Sequence, residues 1–218
     1  MENSKLLCPS MMCANFENLG AELEELEIAG ADIFHLDVMD GQFVPNFGMG
    51  LQDIEYICKT AKIPVDVHLM IENPGNYVDK FADLGVSIIY IHPEVDVHSM
   101  RTLQKIKARG VKTGIAMNPG TATEMVEPLL SLTDYVMVMS VNPGFAGQQY
   151  IDSVDEKIDK LLELKKRFDF EIMLDGACSP QRIEILSHKG VKGFVLGTSA
   201  LFGKEKSYSQ LMQELRQL

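Results

Sequence analysis

Two hydrophobic rhythms take turns along the chain. Short apolar, β-rich runs begin near Leu6, Ile33, Val65, Ile88, Lys112, Tyr135, Glu171 and Gly193, and amphipathic segments fill the intervals between them. Most runs are preceded by a glycine or proline of the kind that stops a helix: Gly30, Pro64, Gly85, Gly110 and Gly190. Helical spacing is clearest in FENLGAELEELEIAG, where Phe16, Leu19, Leu23 and Leu26 form one stripe. It recurs in IDSVDEKIDKLLELKKRF, where Val154, Ile158, Leu161, Leu162 and Leu164 form another. The glutamates and lysines between these positions are expected to make a solvated outer face. Eight strands alternating with eight helices imply a parallel sheet with helical crossovers. That count favours an α/β fold of the closed (β/α)8 TIM-barrel type over an open doubly wound sheet.

Length and composition agree with one barrel. The chain has 218 residues, 46% of them hydrophobic, and no linker-like or low-complexity stretch, so a single domain over 1–218 is expected. The amino-terminal MENSKLLCPSMMCANF has the character of neither a signal peptide nor a spanning helix, and a cytoplasmic protein without a membrane partner is expected. Cys8, Cys13, Cys58 and Cys178 lack paired metal spacing and read as reduced packing thiols. A formal net charge of −11 argues against nucleic acid as a partner. An anionic substrate would therefore have to be held locally.

In a barrel, function gathers at the carboxyl ends of the strands. The unusual polar and glycine-rich residues obey that rule: Ser10, His35 with Asp37, His68, His92 with Glu94, Asn118, the NPGFAGQ loop, Asp175 and GTS. His35 and Asp37, two apart, share one side of an extended strand. His68 in VDVHLM and Asp175 in IMLDG hold matching positions on two other strands. Two imidazoles and two carboxylates converging there make a four-ligand site for a divalent ion such as Zn, Mn, Fe or Co. Without an ion, that many charges would be costly to bury. Asp66, on the same face as His68, could orient a ligand from behind or simply bond a strand end.

A phosphate cradle is expected as a second constellation. NPGFAGQ (142–148), DGAC and GTSALF (197–202) follow the sixth, seventh and eighth strands, and none contains Lys or Arg. Glycine permits close backbone approach, and the amides of these loops with a short helix amino terminus can bind phosphate without a basic side chain. Of the 13 methionines, Met39, Met70 and Met139 lie within a few residues of a proposed site group, where thioethers could line a substrate pocket. His98 and His188 read as exposed helix residues.

In order and spacing, HLDVMDGQFVPN, VDVHLM, HPE, MSVNPGFAGQ, LDG and GTS resemble the motifs of the ribulose-phosphate 3-epimerase family over essentially the whole chain. The resemblance implies a phosphate-binding barrel with one divalent metal ion per subunit, zinc first and Mn, Fe, Co or Mg as alternatives. It implies a ketose phosphate as substrate, and a homo-oligomer, dimer or hexamer. It carries over His35, Asp37, His68 and Asp175 as metal ligands, with Asp37 and Asp175 also the catalytic acid/base pair. Ser10, His68, Met39, Met70 and Met139 would meet the substrate. Gly144, Phe145, Ala146, Gly147, Gly176, Ala177, Gly197, Thr198 and Ser199 would hold its phosphate.

The implied chemistry suits these groups. A proton at C3 beside a C2 carbonyl leaves as an enediolate, whose charge a metal stabilises, and inversion needs a second acid on the opposite face. Four details are similar instead to the allulose-6-phosphate branch: CPSMMCANF, Ala146 in GFAGQ, Ala177 with Cys178 in DGAC, and GTSALF. The expected reaction is thus D-allulose 6-phosphate to D-fructose 6-phosphate, with D-ribulose 5-phosphate to D-xylulose 5-phosphate as the alternative. A decarboxylase on this barrel would want a lysine between its aspartates, where this chain has Val38 and Met39. A non-catalytic sugar-phosphate sensor would not need both aspartates.

Overall fold

Strands β2 (Phe34–Met39) and β3 (Val65–Met70) are buried at every position, yet their two faces have opposite chemistry. Leu36, Val38, Val67 and Leu69 point outward into the main apolar core, while His35, Asp37, Asp66 and His68 occupy the other face. That period-two segregation turns a hydrophobic strand into a carrier of polar groups. The computed structural model describes residues 5–218; the first four residues of the amino-terminal stretch lie outside it.

The other strands are β1 (Leu6–Pro9), β4 (Ile88–Ile91), β5 (Lys112–Met117), β6 (Tyr135–Met139), β7 (Glu171–Asp175) and β8 (Gly193–Leu196). Each starts within one residue of its expected position. All pair in parallel in the order β1-β8-β7-β6-β5-β4-β3-β2, and a parallel bridge between Ser10 and His35 joins the two ends. The sheet closes into the expected (β/α)8 barrel. The crossovers carry α1 (Leu19–Ile28), α2 (Leu51–Thr60), α3 (Val78–Asp83), α4 (Ser99–Ala108), the single-turn α5 (Thr123–Val126), α6 (Val154–Leu164) and α7 (Pro180–Lys189); α8 (Tyr208–Gln217) follows the last strand. No helix among the described residues is long and apolar enough to cross a membrane.

Three apolar clusters set the depth of the site. The largest lies between strands and helices. A second fills the barrel axis, with Cys8, Tyr90, Met137, Met139, Met173 and Val195 among its members. Tyr90 is fully buried and lies against Gly114 of the next strand, where a Cβ would stand 2.2 Å from its ring. A third, with Met39, Val44 and Met70, sits at the mouth. The barrel is thus plugged below and open above.

Two helical expectations need correction. The stripe beginning at Phe16 starts the helix too early: residues 16–18 form a 3₁₀ turn and Phe16 is exposed. The Asn15 side chain accepts the Glu17 N–H there, which favours the turn locally. Lys157, expected on a solvated face of α6, is buried, and its ammonium donates to the carbonyl oxygens of Asn118 (2.5 Å) and Pro119 (2.9 Å). The four cysteines are free thiols; Cys8 and Cys178 are buried, Cys13 and Cys58 half-buried.

Candidate active site

Parallel register brings the polar strand ends together. Asp37 pairs with His68 across β2 and β3, and Asp175 ends β7 beside Met139 of β6. One donor atom from each of His35, Asp37, His68 and Asp175 lies within 4.8 Å of the other three. His35 Nε2 and His68 Nδ1 each stand 3.4 Å from Asp37 Oδ1, and His68 Nδ1 stands 3.6 Å from Asp175 Oδ2. Donors at ~2.1 Å from one tetrahedral ion are about 3.4 Å apart, so this spacing suits a divalent cation.

The proton arrangement points the same way. Asp66 Oδ1 is 2.6 Å from His35 Nδ1, and both side chains are fully buried. A carboxylate accepts, so Nδ1 carries the proton and Nε2 presents its lone pair to the cluster. His35 Nε2 and His68 Nδ1 are buried and have no hydrogen-bond partner among the described residues. Buried nitrogens without a partner, facing two carboxylates, fit a site where a bound cation would take the place of a proton.

Charge at the site follows from its surroundings. Burial alone would strip the charge from His35, but the Asp66 and Asp37 carboxylates outweigh it and hold its pKa well above the usual imidazole range. Burial would likewise favour neutral Asp37, yet His35 and His68 keep its pKa far below the usual carboxylate range. Asp37 also accepts the Ser10 hydroxyl at 2.7 Å. His68 is raised against its burial by bonding to Asp175 and Asp37. His92 is the contrast, since burial lowers it to about 4 despite nearby Glu94. Glu94 is drawn down to about 2 against its burial, chiefly by His92.

A single pocket collects the remaining expectations. Ser10, Met39, Met70 and Met139 line it with Asp37 and Asp175, and Gly144–Gly147, Gly176, Ala177 and Gly197–Ser199 line it as well. His35 and His68 are fully buried and are not among its lining residues, so the expected contact of His68 with substrate is not seen in the pocket wall. Gly176 has φ 98, and a Cβ there would meet Val141 at 2.5 Å, so only glycine fits. Ala177 follows with φ 45, a left-handed conformation that costs an alanine about 1 kcal/mol. The loop after β8 differs from expectation. Residues 198–203 form turns rather than a short α-helix, and the N–H groups of Ala200, Leu201 and Phe202 all return to the Gly197 carbonyl.

Several partners were not legible in the sequence. Met12 and Cys13, just past β1, line the pocket. Val44, in the loop after β2, packs on Met39 and Met70 and approaches Gly144, while Asn46 donates to the Gly144 carbonyl at 2.7 Å. The HLDVMDGQFVPN motif contains both residues but says nothing of their distant partner. His98 is exposed but precedes α4 instead of lying in it, and His188 is exposed on α7.

Comparison with known proteins gives a consistent picture. The model of the ribulose-phosphate 3 epimerase family matches residues 6–202. The ribulose-phosphate 3-epimerase of Aquifex aeolicus is 40% identical over 94% of this chain and 93% of its own. That of Bacillus subtilis is 38% identical over 94% and 97%. Among solved structures, 3-keto-L-gulonate-6-phosphate decarboxylase from Vibrio cholerae superposes with a TM-score of 0.73 at 12% identity, covering 98% of this chain and 96% of that one. At that identity the likeness speaks for the barrel alone.

Proposed function

The chain belongs to the ribulose-phosphate 3-epimerase family, and from that membership we propose that it interconverts D-ribulose 5-phosphate and D-xylulose 5-phosphate by inverting C3. It is an isomerase of carbohydrate phosphates. The observation that carries the proposal is the meeting of Asp37 and Asp175 with His35 and His68 beneath a pocket whose far wall is glycine-rich backbone. One end of that pocket suits proton transfer and the other suits a phosphate.

His35, Asp37, His68 and Asp175 would hold a divalent ion, for which zinc suits the two-nitrogen, two-oxygen set, and which when bound supplies electrophilic stabilisation of negative charge on the substrate oxygens. Asp37 and Asp175 divide the proton work: one takes the C3 proton, and the other delivers a proton from the opposite face. Ser10 fixes the Asp37 carboxylate through its 2.7 Å hydrogen bond. Met39, Met70 and Met139 enclose the reacting carbon in polarisable, water-poor surroundings. The backbone of Gly144–Gly147, Gly176–Ala177 and Gly197–Ser199 receives the phosphate, consistent with an acidic chain that spares no basic side chain for it.

The six-carbon substrate expected from the four local departures gains no support from the relatives, which are named for ribulose phosphate. Ala146 and Ala177 do line the pocket, so the two pairs are best compared directly. With metal-loaded protein, kcat/KM for D-ribulose 5-phosphate is expected to exceed that for D-allulose 6-phosphate by tenfold or more, about 1.4 kcal/mol of discrimination. A tenfold preference for the six-carbon sugar would overturn the substrate assignment and leave the epimerase chemistry standing.

A further inference from the structure

A buried polar chain runs behind the cluster, and proton transfer to substrate makes no use of it. His68 Nε2 and His92 Nε2 stand 2.8 Å apart, with both side chains fully buried. Two ring nitrogens at that distance share one proton, so one donates and the other accepts. At the far side of His92, Nδ1 faces Glu94 Oε2 at 3.4 Å, a charge contact longer than a good hydrogen bond, and neither atom has a hydrogen-bond partner among the described residues. Glu94 is itself anchored, its Oε1 accepting from the Asn118 backbone N–H (2.9 Å) and the Thr121 hydroxyl (2.5 Å).

Glu94 is the carboxylate that His92 Nδ1 faces, so the arrangement favours a proton on that nitrogen and a lone pair on Nε2. That lone pair accepts, so His68 carries its proton on Nε2. His68 Nδ1, facing Asp37 and Asp175, is left with its lone pair free for a cation. The two imidazoles of the cluster are therefore oriented differently: His35 by direct contact with Asp66, His68 through an intervening neutral ring.

We propose that His92 and Glu94 are positioning residues, a relay that fixes the tautomer and tilt of His68 and ties the metal centre to the loop after β5. The proposal rests on the ligand assignment above. Outer partners of this kind typically contribute 10–100-fold to metal affinity. Zinc affinity, read by competition with a chromophoric chelator, is expected to fall by about that factor in His92→Phe, which fills the space but cannot accept. His92→Gln, whose amide can accept from His68 and donate to Glu94, is expected to recover most of the loss. In zinc-loaded protein labelled with ¹⁵N-histidine, His68 should be protonated at Nε2 and His92 at Nδ1. This reading on the unsubstituted protein decides the matter if His92→Phe does not fold. Wild-type affinity in a folded His92→Phe variant, or a proton on His92 Nε2, would overturn the relay alone. If the wild-type protein binds zinc no better than a His35→Ala/Asp175→Ala variant, the ligand assignment fails and the relay falls with it.

Discussion

Gly114 shows how much a single missing side chain can decide. Its Cβ position is taken by Tyr90, whose Cδ1, Cε1 and Cγ atoms all lie within 2.7 Å of it, and the root of a fully buried ring has no room to retreat. Gly114→Ala is therefore expected to destabilise the fold by about 1–3 kcal/mol, the usual cost of overpacking. At roughly 2–4 °C per kcal/mol for a chain of this size, thermal unfolding would read that as a clear drop in Tm. An unchanged Tm would mean that the barrel axis is looser than described. The same scale separates what the sequence reveals from what it hides. His35 and Asp37 are legible because two-residue spacing on a strand puts them on one face. The 2.8 Å contact between His68 and His92 is not, because it depends on how far two side chains reach across neighbouring strands.

Elements show a different kind of legibility. The strands were readable because each is an apolar run bracketed by stop signals, and such runs tolerate little ambiguity in their starts. Helix faces were harder. Lys157 follows the polar pattern of α6, yet it turns inward to hold the carbonyls of Asn118 and Pro119. Nothing in its neighbours distinguishes it from the exposed Lys160, since the demand comes from another loop. Removing the ammonium while keeping the apolar stem, as in Lys157→Met, takes the donor from the Pro119 carbonyl and leaves the Asn118 carbonyl with the Thr121 N–H, and is expected to cost about 1–3 kcal/mol. Equilibrium denaturation in urea would measure it, and a loss below the precision of that method would mean that water replaces the ammonium. The loop after β8 departs from its sequence pattern for a related reason. GTSALF resembles the start of a helix, but three amides returning to one carbonyl close it into turns.

At the scale of the molecule, eightfold alternation made the barrel readable and the barrel in turn told which strand ends to inspect. The polar residues then sorted themselves by depth. Tyr90 lies within the plug, the cluster of His35, Asp37, His68 and Asp175 meets at the strand ends, and Met39, Met70 and Met139 with the glycines line the opening. Substrate size was not readable in the same way, because Ala146 and Ala177 alter a small volume and neither adds nor removes a chemical group. In the proposed reaction two aspartates work from opposite faces of one carbon. Its most direct test is the early time course of D-ribulose 5-phosphate conversion in D2O, followed by NMR at C3. A two-acid inversion places solvent deuterium at C3 of the newly formed D-xylulose 5-phosphate while the unconverted substrate still carries protium. Product that retains the substrate's own proton would mean that a single group removes and returns it, and would contradict the division of labour between Asp37 and Asp175.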